Sequence, residues 1–205
     1  MRLFIALDID PAIRERITAF RDKMRPLAPD VRWVGPETLH VTLQFLGETK
    51  KLDEIQRALQ RVKSAPVQLA FRGAGFFPNP KAPRVFWVGI EQDERLQHLV
   101  AEVGRATLPL GFAREAGPFR PHLTLARSGS GRPRPVRGER AAPALQRIRD
   151  ALATSPATDF GTMTAHEFFL YESKLSSAGP RYSKLSRYPL HEYSGSKLQD
   201  DIGGS

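Results

Sequence analysis

Along the chain, stretches of strict alternation are separated by stretches of helical spacing. Leu3 to Asp8 carries small and large apolar residues in succession and reads as a buried strand. Asp10-Pro11 then makes a helix start, an N-cap residue followed by proline at the first helical position. Ile13, Ile17, Phe20 and Met24 recur at helical spacing with arginines and acids opposite, until Pro26 and Pro29 end the helix. A short strand, Val31 to Val34, leads through the turn Gly35-Pro36 into a strand over Leu39 to Leu46. There Leu39, Val41, Leu43 and Phe45 form one face, and His40, Thr42 and Gln44 the other.

The same two periods continue downstream. Leu52, Ile55, Leu59 and Val62 predict a second helix ending near Ala65-Pro66, and Val67, Leu69 and Phe71 a strand that runs into a loop from Gly73 to Pro83. Val85 to Ile90 is apolar on both faces, the mark of a central strand. Asp93 caps a third helix carrying Leu96, Leu99, Val100 and Val103. A further strand ends at Ala126-Arg127, and Pro143 opens a fourth helix with Leu145, Ile148 and Leu152 inward. Phe160 to Tyr171 reads as one long strand and Tyr182 to Leu190 as the last. Helices thus fall between hairpin-like pairs of strands, which predicts a mixed α+β fold with antiparallel sheets.

One stretch occurs twice. Gly35-Pro36-Glu37-Thr38-Leu39-His40-Val41-Thr42-Leu43 returns as Gly117-Pro118-Phe119-Arg120-Pro121-His122-Leu123-Thr124-Leu125, with unlike flanks. Because strand side chains alternate, each copy presents an imidazole and a hydroxyl on one face and buries aliphatic residues behind. One copy in each half of the chain, 82 residues apart counted from His40 to His122, predicts two similar lobes around a cleft.

Composition narrows what such a cleft meets. The formal net charge of +9 points to a polyanionic partner, nucleic acid or an anionic membrane surface. The absence of cysteine removes disulfides, thiolate metal sites and cysteine nucleophiles, and fits a reducing cytoplasm. The first residues are too short an apolar run for a signal peptide, and no stretch approaches the roughly 20 apolar residues of a membrane span. The chain is therefore expected to be soluble and cytoplasmic, and nothing in it demands an oligomer. Ser128 to Arg140 is rich in Gly, Pro, Ser and Arg and predicts a mobile basic loop, and 194–205 a polar disordered tail after a single bilobal domain over 1–193.

Two opposed imidazoles can divide general acid and general base work near neutral pH. The pair suits in-line displacement at phosphorus, with the two threonine hydroxyls holding non-bridging oxygens. Arg127, three residues beyond Thr124, adds a charge-assisted contact to the phosphate. From the residues alone either histidine can be the acid. A zinc site needs three or four ligands, and neither motif has an acid cluster or a second histidine at ligand spacing, so no metal and no cofactor is expected. His98, His166 and His191 have no motif around them. Trp33, Phe76, Phe77 and Phe119 are able to stack on a base, yet sit where core aromatics are usual.

His40-Val41-Thr42-Leu43 together with His122-Leu123-Thr124-Leu125 resembles the paired signature of the two-histidine phosphoesterase superfamily. Arg2 to Leu7, Arg32-Trp33-Val34, Phe45-Leu46-Gly47, Ala126-Arg127, Leu170 to Ser173 and Gly179 to Tyr182 are similar to its RNA 2′,3′-cyclic phosphodiesterase family, formerly called 2′-5′ RNA ligase. The likeness covers roughly residues 1 to 190. It implies a bilobal fold with pseudo-twofold symmetry, and metal-free opening of RNA terminal 2′,3′-cyclic phosphate to a 2′-phosphomonoester, with 2′-5′ ligation as the reverse sense. By the same resemblance His40 protonates the leaving O3′ and His122 activates water, while Thr42, Thr124 and Arg127 hold the phosphate. Gln44 stands where the family often carries a basic residue. Two other readings are a non-catalytic RNA-binding module and the same chemistry on a small cyclic nucleotide.

Overall fold

The computed structural model describes residues 1–91, 93–113, 117–128, 143–154, 158–176 and 179–192. Strand β1 (Arg2–Leu7) is buried from Leu3 onward. Its two apolar faces demand cover on both sides, and it lies inside a four-stranded antiparallel sheet. Its neighbours are β3 (Val41–Glu48) and β8 (Glu167–Ser176), with β9 (Gly179–Pro189) beyond β8. The second sheet has five antiparallel strands in the order β2 (Arg32–Trp33), β6 (His122–Arg127), β5 (Val85–Ile90), β4 (Val67–Phe77) and β7 (Asp159–Ala165).

The sheets match strand for strand: β3-β1-β8-β9 in one corresponds to β6-β5-β4-β7 in the other, and β2 is an addition beside β6. The expected α+β fold, with two antiparallel lobes and pseudo-twofold symmetry, is therefore observed. Both motif strands hold the same station, next to the strand that feeds a helix. Helix α1 (Pro11–Met24) leaves β1 but packs on the other sheet, against β7 and, through Phe20, against Phe86 and Phe160 at ring distances of 6.0 and 5.1 Å. Helix α3 (Glu94–Thr107) leaves β5 and reaches back to β3 and to α2 (Leu52–Leu59). These reciprocal crossovers tie the lobes into one continuous core.

Local expectations were met with instructive exceptions. Asp93 caps α3 through its carboxylate, which accepts from the Arg95 and Leu96 amides at 2.8 and 3.2 Å. Asp10 holds the N-cap position of α1 with Pro11 after it, but its side chain makes no capping hydrogen bond. The Gly-rich stretch expected as a loop from Gly73 is instead strand as far as Phe77. A register shift between Phe71 and Ala74 and a positive φ of 69° at Gly73 accommodate it as a bulge. The long strand expected from Phe160 to Tyr171 is two strands, broken at His166, with β7 in the second sheet and β8 in the first. Apolar alternation reports burial, and burial continues across the break while the hydrogen-bonding partner changes. Helix α4 (Pro143–Ala153) turns Ala144, Leu145 and Ile148 inward. Beyond Ser128 the basic loop expected to residue 140 lies outside the described residues, as does the tail 194–205.

Candidate active site

Strand β3 begins just after His40 and β6 at His122, each a few residues beyond its Gly-Pro pair. In the first copy Gly35 and Pro36 open a 3-10 turn closed by Thr38, whose hydroxyl donates to the Gly35 carbonyl at 2.8 Å. Arg14 on α1 braces this turn by donating to the carbonyls of Pro36 and Leu39, and to the Asp8 carboxylate at 2.7 Å.

The two imidazoles are held in the same way. His40 Nδ1 lies 2.7 Å from the Thr38 carbonyl, and His122 Nδ1 lies 2.8 Å from the Arg120 carbonyl, each two residues upstream. A carbonyl oxygen can only accept, so Nδ1 carries the proton in both rings and Nε2 is left as the reactive nitrogen. Strands β3 and β6 approach within 8 Å between Cα atoms, so the copies do meet. Thr42 of the first and His122 of the second line one cavity of about 320 Å³. Arg127 Nη2 lies 3.5 Å from Thr124 Oγ1, and the Arg127 charge is felt at His40. The five residues expected from the sequence (His40, Thr42, His122, Thr124 and Arg127) thus belong to one neighbourhood.

Aromatic walls stand behind both histidines. Phe4, Tyr171 and Tyr182 surround His40 at ring distances of 4.7, 6.2 and 5.2 Å, and Phe77 and Trp87 flank His122 at 4.9 and 6.4 Å. Phe4, Ala6, Phe169, Tyr171 and Tyr182 form a small apolar cluster of their own, separate from the main core. The enclosure has an electrostatic result. Burial pulls the His40 pKa down to about 4, overcoming the Thr38 hydrogen bond and the Asp8 carboxylate, which both raise it, while Arg127 and Arg14 lower it further. Without a ligand, His40 is a neutral imidazole at neutral pH. Burial likewise raises the Tyr171 and Tyr182 pKa values, so both phenols stay protonated.

The clean alternation expected over Leu39 to Leu46 breaks after the motif. The β1–β3 register pairs Ala6 with Thr42 and Ile5 with Gln44, leaving Leu43 in a bulge. Gln44 therefore turns inward, where its carboxamide accepts from Thr107 Oγ1 at 2.9 Å and donates to the Phe112 carbonyl at 3.3 Å. Phe45 is turned out, 52% exposed. The face assignments of Gln44 and Phe45 are corrected accordingly: Gln44 is a buried, hydrogen-bonded polar residue that also lines the cavity beside Thr42. Strand β6 repeats the feature, since Trp87 pairs with Thr124 and Phe86 with Ala126, leaving Leu125 in the bulge. Leu125 and Ala126 are both buried, and Arg127 is exposed. The counterpart of Arg127 is thus Phe45, each five residues after its histidine. That matched offset was visible in the sequence, but a strand read as regular hides it.

Of the aromatics considered for stacking, Trp33 and Phe76 pack on Phe86 at 6.2 and 5.2 Å in the core, whereas Phe77 and Phe119 line the cavity. Among the described residues no three His, Asp or Glu side chains gather as a metal site, and no helix is long and apolar enough to cross a membrane.

Comparisons with known proteins agree with this geometry. The family model of the 2′-5′ RNA ligase superfamily matches residues 9–173. An RNA 2′,3′-cyclic phosphodiesterase of Archaeoglobus fulgidus is 35% identical over 187 residues, covering 90% of this chain and 98% of that protein. Another, of Methanothermobacter thermautotrophicus, is 31% identical over 194 residues, covering 93% and 99%. The crystal structure of TT0787 of Thermus thermophilus superposes with a TM-score of 0.74 at 28% identity, over 94% of this chain and all of that one. Escherichia coli LigT complexed with 3′-AMP superposes with a TM-score of 0.72 at 29% identity, over 93% and 98%. With paired histidine motifs, a shared fold and matching length, the chain belongs to the 2′-5′ RNA ligase superfamily.

Proposed function

We propose that the protein hydrolyses the 2′,3′-cyclic phosphate at the end of an RNA to a 2′-phosphomonoester, without a metal ion. The observation that carries this reading is the matched pair of imidazoles, each with Nδ1–H held by a backbone carbonyl, with the Arg127 charge felt at His40. Relatives covering nearly the whole chain are RNA 2′,3′-cyclic phosphodiesterases, and a related fold is known with 3′-AMP, which supports a nucleotide in the cleft.

In the proposed step, His122 Nε2 takes a proton from water as its oxygen bonds to phosphorus. The P–O3′ bond breaks in line, and O3′ leaves with the proton of the His40 imidazolium. Thr42, Thr124 and Arg127 hold the non-bridging oxygens, where charge grows. Water and the cyclic diester become a 2′-monoester and a free 3′-hydroxyl, and the two rings exchange protons with solvent to reset. With a 5′-hydroxyl in place of water, the same displacement expels O3′ and joins a 2′-5′ linkage, and its reverse cleaves one. The Arg127 charge felt at His40 disfavours a divalent cation there, which supports a metal-free site. The cleft is built within one chain, which fits a monomer, and the lack of cysteine fits the cytoplasm. Incubation of a cyclic-phosphate-ended oligonucleotide with the protein in excess chelator tests the reading. Turnover to the monoester is expected, with His40→Ala and His122→Ala each reducing it at least about 10²-fold, and activity surviving either substitution refutes the two-histidine mechanism.

A further inference from the structure

We propose that Arg14 is a positioning residue for His40: it clamps the Gly-Pro turn so that the Thr38 carbonyl stays on Nδ1 and Nε2 is left for the reaction. The kinetic part of the proposal rests on the phosphodiesterase reading above. The Thr38 carbonyl lies 2.7 Å from His40 Nδ1 and belongs to a short 3-10 turn, Pro36–Thr38. So short a turn has few hydrogen bonds of its own to fix the direction of one carbonyl. Within it, Thr38 ties back to the Gly35 carbonyl through its amide at 3.0 Å and its hydroxyl at 2.8 Å. Arg14 adds the hold from outside. Its Nη1 donates to the carbonyls of Pro36 and Leu39, two residues before Thr38 and one after it. The carbonyl that meets His40 is thus bracketed by two others held on one guanidinium.

The guanidinium is itself fixed. Its Nη2 donates to Asp8 Oδ1 at 2.7 Å and to the Ile9 carbonyl at 3.3 Å, where β1 hands over to α1. Asp8 Oδ2 accepts from Lys184 Nζ of β9 at 2.6 Å, and that ammonium lies 4.0 Å from the centre of the Phe169 ring. The Arg14 side chain is 24% exposed, so its planar fork is set by four protein acceptors more than by water. The other half of the site shows what the clamp stands in for. The residue before His122 is Pro121, whose carbonyl accepts from the Ile90 amide of β5 at 3.3 Å, a main-chain bond. The matching carbonyl before His40, that of Leu39, is held at 3.3 Å by a side chain. A single substitution at Arg14 can therefore loosen His40 and leave His122 in place.

Nitrogen-15 NMR of the imidazoles reads this without turnover, because unliganded His40 is neutral at pH 7 and its tautomer is defined. In the wild type the His40 signals, identified by their loss in His40→Asn, are expected to show a protonated Nδ1 and a bare Nε2. Arg14→Met, which keeps an apolar stem and removes the donors, is expected to let the proton move to Nε2 in a large share of molecules while His122 is unchanged. Its kcat on adenosine 2′,3′-cyclic phosphate is expected to fall about 10- to 100-fold, the cost of a misplaced catalytic group, with KM within about threefold of wild type. Arg14→Lys, a single ammonium in place of the fork, is expected to lie between the two. A stabilising role alone would lower the melting temperature and leave the His40 tautomer as in wild type. That outcome overturns the proposal, as does a kcat of Arg14→Met within about threefold of wild type. If Arg14→Met does not fold, Arg14→Lys decides on the same two readings: a change in both supports the clamp, and a match to wild type in either overturns it. If the wild type does not turn over the cyclic phosphate, the phosphodiesterase reading fails and the tautomer alone decides the clamp.

Discussion

His40 must change its charge on binding substrate if it is the proton donor. Burial among Phe4, Tyr171 and Tyr182 holds its pKa at about 4 in the unliganded protein, so it is neutral at pH 7. A phosphodiester monoanion at ~4 Å from the ring would favour the imidazolium by ~4 kcal/mol at an effective dielectric of ~20. At 1.36 kcal/mol per unit this raises the pKa by about 3, to about 7. The anion would also offset Arg127, whose charge otherwise lowers His40. The general acid would then form only where there is a phosphate to receive it. Histidine side-chain NMR titration reads this directly, with His40 resonances identified by their loss in His40→Asn. The His40 pKa is expected near 4 in the free protein and near 7 with saturating adenosine 2′-monophosphate. A value below about 5 in the complex refutes the argument. His40 would then be neutral during turnover, leaving it the base and His122 the acid.

The same buried ring makes the fold acid-sensitive. Because the folded pKa of His40 lies below the unfolded value of about 6.5, the unfolded chain takes up the proton first. The associated stability is complete above pH 6.5 and is lost as pH falls toward 4, up to about 3 kcal/mol. Thermal unfolding from pH 7 to pH 4 is expected to show a shallower slope for His40→Asn than for wild type, and parallel curves would exclude His40 as the source. Asp8 acts lower still. Although burial pushes it up, the Lys184 hydrogen bond, the Ile9 amide and the charges of Lys184 and Arg14 hold it below its ordinary value of 3.8, so its share is lost only as pH falls through that region. At Gly75 an added Cβ would lie 2.4 Å from the Trp87 ring, which itself flanks His122. Gly75→Ala is expected to cost about 1–3 kcal/mol by overpacking, to shift tryptophan fluorescence and to lower turnover. Unaltered stability and emission would show that the indole yields freely.

By itself the sequence determined the elements and the candidate site residues. The buried β1, the proline-started α1, the Asp93-capped α3 and the central β5 all follow from periodicity and local stereochemistry, which act within a few residues. The doubled His-x-Thr-Leu singled out both imidazoles and both hydroxyls as candidates, with Arg127 three residues beyond the second threonine, because a repeat with matched offsets is legible without knowing where the chain goes. Tertiary structure decided what depends on partners distant along the chain. It placed β7 and β8 in different sheets although their apolar pattern is continuous, and it kept Gly73 to Phe77 in a bulged strand because β5 lies alongside. The bulges after Thr42 and Thr124 moved Gln44 into the core and Phe45 into the cleft, since strand register is set by hydrogen bonds to β1 and β5. The depressed basicity of His40 has the same origin. Its enclosing rings come from β1, β8 and β9, the two ends of the chain, and only folding brings them to one histidine.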